Sequence, residues 1–240
     1  MMLRGVFLLI NLLMASTAFA GAWVQPKGHG LNINTVRFQS AKSSSRYEFN
    51  PYIEHGVSDH LTVSGNVGSR IEDQTNSAAQ TQGYGEISFR APLTELLKSV
   101  FSVQGTVGTV MDRSSQGASI TMPMSEIRLL QGQNFLSESL YSNTEIGLRT
   151  FYGNRGNEWR LEQTMGWKHQ AGRILIGQIN AIQNWNKEKS ASEYDSLELQ
   201  ASYVVPFQTR WNLQIGYGSV VAGENVAYLP TYFMGLWYRW

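Results

Sequence analysis

The sequence predicts an all-β fold, an antiparallel transmembrane β-barrel of about twelve strands, with about ten to fourteen compatible with the pattern. Three observations carry this expectation. The first is the stretch 232–240, where Tyr232, Met234, Leu236, Tyr238 and Trp240 alternate with Phe233, Gly235, Trp237 and Arg239. Successive side chains of a strand point to opposite faces, so one face is uniformly apolar or aromatic. In water such a terminal strand would present a flat apolar edge and aggregate, whereas in lipid the row is correctly solvated, with its aromatics at the interface. The second is the start of the chain. Arg4, the apolar run Val6 to Met14 interrupted by Asn11, and Ala18-Phe19-Ala20 have the layout of a cleaved secretory leader, residues 1–20. The third is composition. Aromatics at 12% and 23 glycines accompany a mean hydropathy of only −0.25, as expected when inward polar residues dilute outward apolar ones.

Removing the leader from 240 residues leaves one domain of about 220, residues 21–240. No later run reaches the ~18 apolar residues of a membrane helix. The chain has no cysteine, which excludes a lipoprotein anchor at the cleavage point, disulfides and thiolate metal sites. A net charge of +1 gives no nucleic-acid footprint, and no cofactor is expected. A soluble β-sandwich with a terminal core strand is the competing reading, and the leader disfavours it.

The end of the chain resembles the C-terminal signature of Gram-negative outer-membrane barrels, which close on Phe or Trp with apolar residues alternating behind it. The resemblance implies an outer-membrane location. It also implies outer-membrane lipid and the barrel-assembly machinery as partners, and an assembly signal at Tyr238 and Trp240.

Taken in order, Gly21 to Gly28 is punctuated by Pro26 and Gly28 and is expected as a periplasmic lead-in. The first strand runs from about Gly30 to Ser40, where the phase of Leu31 and Ile33 slips to Val36 and Phe38, the mark of a bulge. A loop over Ala41 to Arg46 precedes a second strand, Tyr47 to His55. A tight turn at Gly56-Val57-Ser58-Asp59 leads to a third strand, Leu61 to Val67. Glu72 to Thr81 is a polar loop before the fourth strand, Tyr84 to Arg90. Pro92 to Lys98 is a longer turn with room for one helical turn. Further strands lie at Val100–Val110, Thr121–Leu130, Ser139–Phe151, Glu158–His169, Ile174–Gln183, Ser196–Val205 and Trp211–Gly218, before the closing stretch. The intervening loops include Gly153–Asn157, the charged Trp185–Glu193, and a turn at Pro206.

Charges fall on one face of these strands. Glu86 and Arg90, Glu126 and Arg128, Glu145 and Arg149, then Glu158, Arg160, Glu162 and Lys168 share the polar face of their strands. A charge facing lipid near the midplane costs about 2–4 kcal/mol, so these side chains must point into the barrel. Glu86, Arg90, Glu126, Arg128, Glu145, Arg149, Arg160 and Glu162 are therefore the candidate lumen lining. Two readings compete: a narrow channel or transporter for small solutes, and a non-conducting structural or surface-interaction barrel whose lumen is filled by salt bridges. In a pore, neutralising Arg128 and Arg149 together is expected to favour cations with the fold intact.

An enzyme is the third class weighed. Lipid-hydrolysing barrels set a histidine and a serine two residues apart on one strand face. None of His29, His55, His60 and His169 is followed two residues on by a serine. Asp59-His60 superficially resembles a protease dyad, but it sits at a turn, which accounts for Asp59. No catalytic residue is assigned.

Gly21-Ala22-Trp23-Val24-Gln25-Pro26-Lys27-Gly28 resembles the mature start of small proteobacterial barrels, some of them transporter-like barrels of the meta-pathway phenol-degradation group. Tyr52 to Val63 is similar to their Glu-Tyr-Gly-Leu-Thr-Asp-Arg-Leu-Thr-Leu hairpin, with His55, Val57, Ser58 and His60 departing from it. The resemblance implies a barrel and leaves the solute open.

The loop assignment is testable. Single cysteines at Ser77, Asn154 and Lys189 should react with an impermeant maleimide on intact cells, and one at Ser58 should not. The reverse pattern would invert the assignment of sides.

Overall fold

The structure is a computed structural model that describes residues 21–40, 44–74, 77–96, 99–113, 119–136, 139–153, 156–185, 195–224, 226 and 228–240. The leader lies outside the described residues. The strands are β1 (Gly30–Ser40), β2 (Ser44–Ser58), β3 (Leu61–Gln74), β4 (Ser77–Leu96), β5 (Ser99–Arg113), β6 (Ser119–Phe135), β7 (Leu140–Phe151), β8 (Glu158–Lys168), β9 (Ile174–Asn184), β10 (Asp195–Gln208), β11 (Trp211–Glu224) and β12 (Pro230–Arg239). Each pairs antiparallel with its neighbours, and β1 pairs with β12, so the sheet closes into a barrel. The described residues contain no α-helix, only a 3₁₀ turn at Gln170–Gly172.

Alternation sorts the side chains as lipid outside and water inside would require. Val107 and Leu129 are 58% and 60% exposed on the outer face, whereas Glu54 and Glu126 are 0% and 5% exposed on the inner one. That inverts the pattern of a soluble domain. Aromatic side chains mark both edges of the outer band. Trp211, Tyr238 and Trp240 form a chain of ring contacts near the rim where β1 starts, and Trp159 meets Trp185 near the other.

The strands are steeply tilted. Directly paired residues lead from Leu31 through Glu54, Ser64, Ser88, Thr106, Glu126 and Arg149 to Glu158. Leu31 begins β1 and Glu158 begins β8, which run in opposite senses, so this inward row climbs from one rim to the other. Closing a sheet requires such stagger, and it carries residues of distant strands to neighbouring heights in the lumen.

Large inward rings are accommodated by glycine directly across the ladder. Gly68 faces Tyr84, Gly166 faces Tyr141, and Gly216 faces Phe233. A Cβ at any of the three would fall 2.0–2.3 Å from the opposite ring, so the ring lies over bare backbone.

Several expectations need correction. Strand β1 carries no bulge, because its register to β2 and β12 is unbroken. Leu31 and Ile33 instead point inward, Leu31 in an apolar cluster with Ile33 packed against it. Asn32 and Asn34 share the outer face with Val36, and their amides satisfy one another and the Tyr52 carbonyl. Strands also run further than the apolar pattern. Gln131 to Phe135 extends β6, Ala222 to Glu224 extends β11, and Glu72 and Gln80 pair across a connection much shorter than the expected loop. Beyond the lipid the outer face no longer needs to be apolar, but the ladder continues. Pro92 lies within β4 and Pro206 within β10, each beside a register shift, where a residue lacking an N–H is tolerated. Residues Gly56 to Ser58 belong to β2 and shift register there, leaving Asp59 and His60 as the turn.

The final residue closes the seam. Trp240 exchanges backbone hydrogen bonds with Gly30, both at 3.2 Å, and its ring covers Gly30, where a Cβ would fall 2.1 Å away. Trp240→Asp or Gly30→Val should therefore impair barrel closure, read as loss of the heat-modifiable gel shift. Wild-type yields of folded protein in both variants would separate closure from this contact.

Candidate functional site

The lumen has three levels. At the rim where β1 starts, Gly21 to Gln25 turn into the barrel and do not hang below it as a lead-in, while Pro26 to His29 stay exposed. The Ala22 N–H donates to Asn143 Oδ1 at 2.8 Å, and the Ser102 hydroxyl donates to the Ala22 carbonyl. The Gln25 N–H donates to Thr62 Oγ1 at 2.7 Å, and its side-chain amide donates to Glu54. Gly28 and His29 then bond to Gly56 as the chain leaves. Trp23 packs onto the apolar cluster of Leu31, Tyr141, Ile174, Ile176, Val204 and Trp237. Its ring lies over Gly132, where a Cβ would come within 2.9 Å of three ring atoms. One end of the barrel therefore holds a small hydrophobic core.

Arg90 and Glu54 form the boundary of that core. The guanidinium donates to Gln104 Oε1 at 3.0 Å and the Trp23 carbonyl at 3.2 Å, and meets Glu54 at 3.5 Å. Tyr52 donates to the same carboxylate at 2.7 Å. Both ions are buried and multiply bonded, the condition under which a buried pair is tolerated.

Above it lies an interlocked cluster. Glu126 accepts from Arg128 Nε at 2.6 Å and from Arg149 Nη2 at 2.6 Å, and it faces Arg160 at 3.5 Å. Arg128 also donates to Glu145 at 2.9 Å and Glu162 at 3.0 Å. Arg149 reaches across to Glu86 on β4 at 3.2 Å. Gly147, opposite Arg128 on β7, leaves room for its stem, since a Cβ there would fall 3.0 Å from Arg128 Cγ and 2.7 Å from Glu126 Oε1. The eight residues selected by alternation thus fall into two ion clusters, Arg90 with Glu54 and the other seven around Glu126 and Arg128. Seven of them line a cavity of about 550 Å³, and Glu126 lies buried behind it.

The third level is not among the residues selected by sequence. Arg37 meets Glu198 only at 3.9 Å and Gln200 at 3.5 Å, while its guanidinium lies over the Phe233 ring at 5.5 Å. Arg70 meets Glu48 at 3.7 Å and Gln82 at 3.3 Å. The apparent phase slip in β1 hides Arg37. Glu48 and Glu54 are legible from the alternation Glu48, Asn50, Tyr52, Glu54 along β2. Asp59 is a turn residue that accepts the Lys27 N–H at 3.2 Å. Among the described residues no cluster of metal-ligating side chains occurs.

The interlocking alters the expected effect of neutralising Arg128 and Arg149. Removing one partner of a buried ion cluster leaves the rest uncompensated, at a cost of about 3–5 kcal/mol. Arg128→Gln should lower the denaturant midpoint of the folded barrel strongly, and the double variant with Arg149→Gln should assemble poorly. Unchanged midpoints would mean that water in the lumen screens the cluster.

No family model and no curated protein matches the sequence. Solved structures do. The COG4313 outer membrane channel from Pseudomonas putida F1 superposes with a TM-score of 0.71 at 8% identity, covering 94% of this chain and 100% of that one. The NanC porin gives 0.59 at 11% identity, and the KdgM porin, solved with oligogalacturonate, gives 0.55 at 11%; each covers 86% of this chain and 98% of its own. Outer membrane phospholipase A from Escherichia coli also matches, with a TM-score of 0.53 at 10% identity. At these identities the likeness is one of fold: a closed twelve-stranded barrel of the outer-membrane type.

Proposed function

We propose that the protein lies in a Gram-negative outer membrane and passes small polar solutes by diffusion through its lumen. The observation that carries this reading is the cavity of about 550 Å³ with a charged wall inside a barrel whose outer face is apolar. Water and small solutes are stable in such a space, because arginine and glutamate side chains replace part of their hydration. The likeness to channel and porin barrels supports the reading, as does the resemblance of Tyr52 to Val63 to transporter-like barrels of the meta-pathway group. Charges of both signs on the wall imply weak ion selectivity. Surface hydrolysis has less support, since no histidine of the sequence is followed two residues on by a serine.

A second reading, the non-conducting barrel, is favoured by one observation. Trp23 and its apolar neighbours fill the lumen at the β1 rim. The two readings differ in whether ions pass around this constriction.

Planar-bilayer recording separates them. Wild-type protein should show small conductance steps, and Gly132→Val should show larger ones, because the added methyls occupy the position of the Trp23 ring. Absence of steps from folded wild-type protein and from folded Gly132→Val alike would overturn the channel reading in favour of the filled barrel.

A further inference from the structure

We infer that the outer face of β7 and β8 is a dimer interface, on which Gln163 meets the partner subunit's Gln163 inside the membrane. The inference rests on the barrel lying in a bilayer and is independent of whether its lumen conducts.

Gln163 is unlike its neighbours on that face. Glu162 and Thr164 line the lumen cavity, so Gln163 between them points outward. The outward row along β8 is Trp159, Leu161, Gln163, Met165 and Trp167. Trp159 meets Trp185 near one rim, and Trp167 meets His169 near the other. The glutamine stands midway between these aromatic ends, where hydrocarbon excludes water most completely. A polar group left unpaired at that depth is costly. The outward amides of Asn32 and Asn34 differ: they lie close to the rim where β1 starts, and they bond to one another and to the Tyr52 carbonyl.

Hydroxyl groups gather about the Gln163 amide without completing it. Thr144, directly across the ladder on β7, donates to Gln163 Oε1. Gln163 Nε2 donates to Ser142 Oγ at 2.9 Å and to the Thr164 carbonyl at 3.3 Å. Both amide N–H groups are then used. Oε1 keeps a lone pair and the Ser142 hydroxyl keeps its proton, and among the described residues neither finds a further partner. The cluster therefore presents an acceptor and a donor side by side to whatever covers it.

The surface beside the cluster allows close approach. Met165 pairs with Gly177 on β9, and Gly177 with Ala201 on β10. A Cβ at Gly177 would meet nothing within 4 Å, so backbone is open there. Small residues of this kind let membrane-embedded surfaces pack tightly.

Symmetry identifies the occupant. Acyl chains have no hydrogen-bonding group to offer at this depth. The bilayer fixes the depth and direction of every copy of the barrel. A twofold axis along the membrane normal therefore sets Gln163 against its own copy at the same level. A primary amide carries donor and acceptor together, so the cluster is complementary to itself. Any other membrane protein would need a polar group at this same depth, which a second copy supplies automatically.

The chain has no cysteine, so single cysteines report the contact without background. In outer membranes, Leu161→Cys should form a disulfide-linked dimer under mild oxidation. Ile53→Cys, outward on β2 at the far side of the barrel, should not. Native mass spectrometry of the purified barrel should show a dimer. Gln163→Leu and Gly177→Leu, one removing the amide and the other filling the open backbone, should each shift it to monomer with the heat-modifiable gel shift unchanged. Gln163→Asn should retain part of the dimer. If a variant fails to fold, the two cysteine positions still decide. A monomeric wild type without a cross-link from Leu161→Cys would overturn the inference. So would a dimer that joins through Ile53→Cys or survives Gln163→Leu. A cross-link from Leu161→Cys to a product of any other mass would overturn it in favour of a different membrane protein on this face.

Discussion

In hydrocarbon a backbone amide has only other protein groups to bond to, and that constraint makes the pairing of β1 with β12 the contact on which the fold depends. The seam runs from Leu31 opposite Arg239 to Gln39 opposite Thr231 without a register shift. Had it been offset by one residue, the inward and outward faces of the sheet could not have matched around the ring. Trp237 and Phe233 would then have faced lipid with Arg239, and Met234 and Leu236 would have filled the lumen. The hydrogen bonds between Gly30 and Trp240 fix that phase at one end. Every later feature, including which glutamates meet which arginines, inherits it.

Much of this is legible in the sequence because two solvents impose one period. Where a strand lies between lipid and lumen, each residue is classified by its neighbour two positions away. The outward row Leu61, Val63, Val67 and the inward Glu126 and Arg128 can be read on that basis alone. The reading fails where one of the solvents is absent. Strand β1 has an apolar lumen beside it near its start, because Trp23 occupies the space, so alternation assigns Leu31 and Ile33 to the wrong face. Strand ends beyond the membrane have water on both sides, and the alternation dissolves there while the ladder persists, as in Gln131 to Phe135.

The segment before β1 is not legible as lumen-filling for a different reason. Its partners are remote: Asn143 is 121 residues from Ala22, and Ser102 is 80. It has no periodicity, since it makes no ladder beyond the single bridge of Lys27 with Gly56. Its position is recorded in other residues instead, in Gly132 beneath the indole and Gly56 against the Pro26 and Gln25 carbonyls. Glycines facing inward read as weak strand positions until the object that requires them is known.

The lumen then poses a conflict between holding a barrel shut and leaving it passable. A barrel of this size encloses more space than its walls can fill with carbon without losing water altogether. Here the two tasks are separated along the axis and around the wall. Apolar packing and the segment 21–25 occupy one end. Above them the clustered ions of Glu126 cross-link β4, β6, β7 and β8 through ion pairs of 2.6 to 3.5 Å, against 3.9 and 3.7 Å for those of Arg37 and Arg70. Burial matches the difference: a shielded carboxylate such as Glu126 must be compensated on several sides, whereas the 38% exposed Arg70 is more open to solvent screening and stands farther from Glu48. The same property that makes the inner cluster rigid makes it a poor site for exchange with a solute. A molecule entering that cluster would have to displace an existing partner, and at Glu126 those partners are three guanidinium groups on neighbouring strands. Arg37 and Arg70 hold their carboxylates less closely, at 3.9 and 3.7 Å. Tight pairs therefore cross-link the wall, while looser ones leave more of their charge facing the cavity.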